Sequence, residues 1–248
     1  LRGTVEALVE SAQNALPVAL ACAAVGIVVG VVAVTGLGLR IASGIVALSG
    51  GSLLLTLLLT MVAALLLGTG LPTSATYIIT SIMAAPALLQ LGLPALVAHM
   101  FVFYFGILAD LTPPTAISTY ATSAIAGADV WRTQWTAMLL ALSGFLIPFS
   151  FAYDPALLLI HTTPLGVVLR TAAAMLGILM LGAGIVGYLW GPTRIAERLV
   201  LLAGAVLLIF PGLWSDLLGL LGFLGVCATQ RLRRPGALGP IVKLGRRS

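Results

Sequence analysis

From Ile41 to Ala109 the sequence contains no aspartate, glutamate, lysine or arginine. A bilayer-spanning helix needs about 20 mostly apolar residues, and this stretch and its neighbours offer several such segments in succession. Composition agrees, since 60% of the residues are hydrophobic and 8% are charged. Too few polar side chains remain to cover a soluble surface, and the continuous apolar runs lack the alternation typical of a membrane β-barrel. We therefore predict an all-α polytopic membrane protein.

The positions of the basic residues and of the two cysteines bear on membrane topology, nucleic-acid binding and metal binding. Lysine and arginine near the ends of membrane helices mark the cytoplasmic side, so we predict a cytoplasmic C-terminus, and no nucleic-acid partner is needed to explain the net charge of +5. Cys22 and Cys227 belong to separate apolar runs, which predicts neither a disulfide framework nor a metal cluster. Six basic residues follow the last apolar run: Arg231, Arg233, Arg234, Lys243, Arg246 and Arg247.

The order of apolar runs, prolines and glycines predicts how the chain is organised. The segment TGLGLRIASGIVALSGGS, residues 35–52, is too short and too interrupted by glycine for a predicted span. The segment GADVWRTQW, residues 127–135, is polar and contains two tryptophans typical of a membrane boundary. We predict an amphipathic lead-in (1–14), a block of apolar segments (15–155) that includes a hairpin (53–89) and a broken helix (95–126), C-terminal membrane helices (156–230) and a basic cytoplasmic tail (231–248).

Two polar breaks interrupt the apolar runs, GTGLPT at residues 68–73 and DLTPPT at residues 110–115. Proline removes an N–H donor and frees a carbonyl one turn back. Lipid cannot satisfy such groups, so irregular backbone at membrane depth must be covered by protein or must line a cavity. Broken helices of this kind hold solutes and coupling ions in secondary transporters. The alternative, that the two motifs are helix kinks or a surface loop, stays open at this stage.

A re-entrant hairpin with its tip at residues 70–73, facing a helix unwound at residues 111–114, would form one site from two segments. Asp110 is the only acid between Glu10 and Asp129, and an ionisable residue in a span indicates function. It can ligate a cation, carry a proton, or cap a helix that begins at Thr112. His99 precedes Asp110 by eleven residues and is interpreted first as a packing residue.

Several other side chains are weaker candidates. The rings of Tyr77, Tyr104 and Tyr120 can line a cavity or simply pack between helices, and the Ser and Thr residues of STYATS (118–123) can bond neighbouring helices instead of a solute. The sequence contains no HExxH motif, no Walker A loop and no Ser/His/Asp set at a sensible depth. We therefore predict that the protein is not an enzyme and needs no organic cofactor.

The sequences of three segments resemble the same protein family. GTGLPTSATYIITSIMAAPAL, AHMFVFYFGILADLTPPTAISTYATSAIAGAD and FLIPFSFAYDPALLL resemble the large membrane subunit of tripartite ATP-independent periplasmic (TRAP) transporters, most closely the fused permeases of the TAXI type. The resemblance runs from about residue 15 to residue 159 and is strongest over residues 68–128. The Leu-rich segment LLLIFPGLWSDLLG is similar to the C-terminal end of such permeases but less specific.

The resemblance implies an elevator-type transporter with two inverted repeats, of which this chain is similar to the second. It implies import of organic acids across the bacterial or archaeal inner membrane, coupled to sodium or protons, after delivery by a periplasmic substrate-binding protein. The implied cation site consists of Gly70, Pro72, Thr73, Thr112, Pro113 and Pro114, with Asp110 as a ligand or support. The implied substrate contacts are Thr73, Ser74, Tyr77 and Ser118.

The chain departs from a complete fused permease, which needs a first repeat and the helices of the small membrane subunit upstream. The sequence begins with Leu1, so we expect it to be the C-terminal portion of a longer permease and count the missing half among its partners, with the lipid bilayer. Two other functions stay open: an ion-coupled carrier without a binding protein, and a non-transporting membrane scaffold.

Overall fold

The computed structural model describes residues 2–113, 116–160 and 162–233. Within these ranges the regular elements are helices and no strand is found. Short 3₁₀ turns cover Ala109–Leu111 and Pro155–Leu158. The α-helices are α1 (Arg2–Thr35), α2 (Leu37–Ser49), α3 (Leu53–Gly68), α4 (Thr73–Met83), α5 (Ala85–Gln90), α6 (Ala95–Leu108), α7 (Ile117–Ala126), α8 (Val130–Leu140), α9 (Leu142–Tyr153), α10 (Pro164–Val186), α11 (Ile195–Ile209) and α12 (Leu213–Arg233).

Three stretches in the described ranges are long and apolar enough to cross a bilayer: Val130–Tyr153, which joins α8 and α9, Pro164–Val186 and Leu213–Leu232. A fourth candidate is the pair Ala19–Thr35 and Leu37–Ser49, which is bent by 70°. Helices α3 and α6 are shorter apolar helices. Many large apolar side chains on these helices are exposed, as expected where lipid is the solvent. The prediction of an all-α polytopic membrane protein is confirmed.

The N-terminal part contains a break that the sequence analysis did not identify. Helix α1 joins the predicted lead-in (1–14) to the apolar residues after it in one continuous helix, and most of segment 35–52, which was not predicted to span, forms α2. Gly36 separates them with φ 65, a left-handed conformation that glycine adopts without steric cost. A methyl group added at Gly38 would lie 2.7 Å from the carbonyl oxygen of Ile82, so α2 packs directly on the backbone of α4.

Residues 1–170 and 171–248 form two compact units. In the first unit α6 contacts α3, α4, α5 and α9. Its buried Phe101 ring packs edge-on against Phe149, with centroids 5.4 Å apart, and Phe105 packs on the same ring at 6.0 Å. Small residues allow the remaining contacts, because Ala84 and Ala85 pack against Val102. Helix α6 is therefore the centre of the unit, and its C-terminal end leads into the second predicted break.

In the second unit α11 and α12 approach through glycines. A methyl group added at Gly219 would lie 2.9 Å from the carbonyl oxygen of Gly204 and 2.6 Å from Cγ of Leu208. Small residues let membrane helices pack backbone to backbone, where van der Waals contact replaces the hydrophobic effect as the driving force. Gly225, further along α12, has nothing within 4 Å of the same position.

This contact predicts opposite behaviour for two glycines of one helix. Gly219→Ala should destabilise the protein by about 1–3 kcal/mol, because the added methyl overpacks the crossing. Gly225→Ala should leave stability unchanged or raise it slightly, since alanine favours helix over glycine. Thermal unfolding of the purified chain in detergent measures both, and equal shifts for the two variants would contradict the packing described here.

Candidate functional site

The first predicted break separates α3 from α4. Helix α3 ends at Gly68 and α4 begins at Thr73, with Gly70 between them at φ 75. The N–H of Leu71 donates to the Gly68 carbonyl at 3.5 Å, and the hydroxyl of Thr76 donates back to the Leu71 carbonyl at 3.3 Å. The motif GTGLPT is therefore an interruption between two helices and not a bend within one.

The second predicted break follows α6. After Leu108 the chain forms one 3₁₀ turn, and Thr112 is extended, with φ −93 and ψ 125. The Thr112 hydroxyl donates to the Leu108 carbonyl at 2.7 Å, and its N–H donates to Ala109 at 3.1 Å. Ala116, directly before α7, has φ 27, a backbone conformation that a residue with a Cβ rarely adopts. This segment too is a real interruption of the helix.

The two breaks lie against each other. A methyl group added at Gly68 would lie 2.9 Å from Cβ of Ala109 and 2.9 Å from Cγ2 of Thr76. One added at Gly106, on α6, would lie 2.8 Å from the same Thr76 methyl. Gly68 and Gly106 thus let α3, α4 and α6 meet where the chain leaves helical geometry. The contact joins the C-terminal end of α3 to the 3₁₀ turn after α6, and the site formed by residues 70–73 and 111–114 stays a prediction.

Four helix ends flank the two breaks. Helices α3 and α6 end there, and α4 and α7 begin there. A helix C-terminus has partial negative charge and free carbonyls, which suit a cation, whereas a helix N-terminus has partial positive charge and free N–H groups, which suit an anion. Among the described residues no three His, Cys, Asp or Glu side chains group as a metal site.

The predicted site residues fall on the two breaks and the helices beside them. In the first break Gly70 and Pro72 form the turn, and Thr73 and Ser74 are exposed in the first turn of α4. In the second, Thr112 and Pro113 are half-buried, and Ser118 is exposed on α7. Pro114 lies outside the described residues, as do His161 and most of the predicted basic tail, residues 234–248.

Asp110 lies in the 3₁₀ turn, next to the residue that contacts Gly68. No helix begins at Thr112, since α7 starts at Ile117, so Asp110 does not cap one. Its half-buried carboxylate accepts no hydrogen bond and forms no ion pair within the part of the chain that the structure describes. The capping interpretation is therefore wrong, because the helix that Asp110 was predicted to cap does not begin at Thr112.

Tyr77, a predicted substrate contact, packs against two residues of α6. Its hydroxyl lies 3.1 Å from Nδ1 of His99, and its ring packs edge-on against Phe103 with centroids 5.5 Å apart. The pair joins α4 to α6. His99 therefore has the packing partner that the sequence analysis expected for it, and that partner is Tyr77. Tyr104 packs against Phe151 at 5.8 Å, and Tyr120 is exposed on α7.

Sequence reasoning missed one buried polar residue near the second break. Gln134 is 1% exposed, and neither amide atom has a hydrogen-bond partner in the described ranges. It is buried on α8, which contacts α7, α9 and the 3₁₀ turn that includes Asp110. An unpaired buried amide is costly. The only sequence signal was its place in a polar segment, where an exposed position is the ordinary expectation.

Comparison with known protein families matches residues 1–165 to the family described as "Tripartite ATP-independent periplasmic transporter, DctM component". The matched range includes both breaks and every predicted site residue. No curated protein and no solved structure matches the chain.

The contact between the breaks predicts a strong effect of one methyl group. Gly68→Ala should destabilise the chain by about 1–3 kcal/mol, because the new Cβ would overlap both Ala109 and Thr76. Gly26→Ala is the matched control, since nothing lies within 4 Å of that position on α1. Thermal unfolding in detergent compares the two, and a harmless Gly68→Ala would show that the breaks do not touch.

Gln134 yields a prediction of opposite sign. Gln134→Met keeps the side-chain length and removes the unpaired amide, so the variant should be more stable by about 1–3 kcal/mol. The exposed Gln90 provides the control, and Gln90→Met should leave the unfolding temperature within error. A loss of stability in Gln134→Met would show that the amide is paired in the folded protein.

Proposed function

The chain belongs to the family of DctM components of tripartite ATP-independent periplasmic transporters, and from this premise we propose that it couples solute import to an inward sodium gradient. The family is a transporter family and not an enzyme family, and the chain is a multi-pass membrane protein. Sodium coupling, with protons as the alternative ion, and an organic acid as the solute are the finer parts of the proposal.

The observation that carries the proposal is the contact between the two breaks. A carrier must bind a small cation and a solute side by side, and two interrupted helices supply the backbone groups for both. The C-termini of α3 and α6 favour a cation near Gly70, Pro72, Thr73, Thr112, Pro113 and Pro114. The N-termini of α4 and α7 favour the carboxylate of an organic acid near Thr73, Ser74 and Ser118.

Two side chains differ in how they support this assignment. The carboxylate of Asp110, which has no partner within residues 2–113, 116–160 and 162–233, lies next to the proposed cation site. Tyr77 supports the site indirectly, because its hydroxyl is engaged with His99 and positions α4 against α6. We assign Tyr77 a positioning role and keep Asp110 as a ligand or a support of the cation.

The remaining parts of the proposal follow from the family and the charge distribution. DctM components work with a periplasmic binding protein and a small membrane subunit, and we propose the same partners here, in a TAXI-type fused permease that moves as an elevator. Arginines at the end of α12 favour a cytoplasmic C-terminus in the inner membrane. A scaffold protein would have no use for two interrupted helices in contact.

The sodium site is tested by two hydroxyl variants in the complete permease reconstituted in vesicles. Thr73→Ala and Thr112→Val should each raise the sodium concentration for half-maximal uptake about tenfold, the effect of losing one oxygen ligand worth about 1.4 kcal/mol. Ser81→Ala and Thr122→Val are the controls, because both hydroxyls are exposed and donate to carbonyls of their own helix.

Uptake is measured as a function of sodium at fixed pH, then as a function of pH without sodium, each with and without the binding protein. Unchanged sodium dependence in both threonine variants would reject the site. An uptake rate that does not depend on sodium but depends on the proton gradient would assign the coupling to protons. Uptake that ignores the binding protein would favour a simple ion-coupled carrier.

A further inference from the structure

One end of the second unit collects arginines from two separate helices. Arg194 and Arg198 lie at the start of α11, and Arg231 and Arg233 lie at the end of α12. From residue 199 to residue 230 the sequence contains no lysine or arginine. The turn between α11 and α12, at the opposite end of both helices, is therefore without a basic residue.

Hydrogen bonds fasten these helix ends together. The N–H of Trp190, in the loop after α10, donates to Oε1 of Gln230 at 3.2 Å. The buried carboxylate of Glu197 accepts from the N–H of Arg194 at 2.9 Å and from the hydroxyl of Thr229 at 3.3 Å. Since Arg231 follows Gln230 directly, the loop, the first turn of α11 and the last turns of α12 form one surface.

The arginines of this surface are not equivalent. Arg198 donates through its guanidinium to the carbonyls of Gly184 and Ile185 and so caps the end of α10. The side chains of Arg194 and Arg231 are exposed. These two guanidinium groups are therefore available to a ligand at the surface, while Arg198 is part of the scaffold that supports them.

Aromatic residues place this surface at the level of the lipid headgroups. Tyr188 and Trp190 are 55% and 61% exposed in the loop that follows α10, and such rings favour the boundary between hydrocarbon and water. The membrane-crossing stretches of α10 and α12 end at Val186 and Leu232, on either side of this loop. An arginine at this depth meets phosphodiester groups, which its planar fork binds in a bidentate manner.

We propose that Arg194 and Arg231, flanked by Trp190, bind the phosphate of an anionic phospholipid headgroup. The site is built within the second unit and does not depend on the transport function proposed above. The positive charge of the site complements a negatively charged lipid. Glu197 accepts hydrogen bonds from the N–H of Arg194 and from the side chain of Gln230, and so holds the backbones next to both arginines together without a lipid.

Native mass spectrometry of the purified full chain tests the site by counting retained phosphatidylglycerol against phosphatidylcholine. Arg194→Gln/Arg231→Gln should reduce retained phosphatidylglycerol about tenfold or more, because each arginine beside an anionic lipid contributes about a factor of five. All variants also include Arg234→Gln, Lys243→Gln, Arg246→Gln and Arg247→Gln, so that the basic tail does not mask the effect. Arg194→Lys/Arg231→Lys should recover part of the binding.

Arg40→Gln/Arg132→Gln removes the same charge from exposed arginines of the first unit and should leave retention unchanged. An equal loss of phosphatidylglycerol in this control would show a general charge effect and overturn the proposal. Equal retention of phosphatidylglycerol and phosphatidylcholine by the protein that keeps Arg194 and Arg231 would overturn it as well. Displacement of the lipid by millimolar inorganic phosphate would reveal a site for soluble anions and would overturn the assignment to lipid.

Discussion

The first unit depends on hiding peptide groups that its broken helices leave without partners. A backbone N–H or C=O left unpaired in hydrocarbon costs several kcal/mol, so a break at membrane depth is stable only where protein covers it or water reaches it. Here the two breaks adjoin, because Gly68 at the first lies against Ala109 beside the second. Gly70 and Thr73 nevertheless stay exposed, so at membrane depth this part of the first break would need water or a further protein surface.

The positions of both breaks could be predicted from the sequence, because proline and glycine act locally. Pro72 and Pro113 lack the N–H that a continuing helix needs, and Gly70 adopts a positive φ at no steric cost. Pro148 lies inside α9, so proline marks a break here because glycine or a second proline lies next to it. That the breaks touch could not be derived from spacing, since contact depends on Gly68 and Gly106, which look like any other glycines in apolar helices. What sets them apart is the Thr76 methyl packed against both.

Two features could not be predicted from the sequence, for physical reasons. Gly36 ends α1 through its backbone angle, but no proline or polar neighbour distinguishes it from other glycines of the segment, such as Gly38 and Gly44. Gln134 belongs to a polar segment at a predicted membrane boundary, where exposure is the ordinary outcome. Its burial is decided by α7 and the turn at Ala109–Leu111, elements that lie before it in the chain and pack back on α8.

Two acids, one in each unit, differ in how the structure satisfies their carboxylates. Glu197 is nearly buried in the second unit, but its oxygens accept hydrogen bonds from Arg194, Thr229 and Gln230. Asp110 has no such partner among the described residues. A buried carboxylate whose hydrogen bonds are made is explained by the folded structure, whereas one without them is stabilised either by taking up a proton or by a cation. Under the function proposed above, the coupling ion fills that role at Asp110.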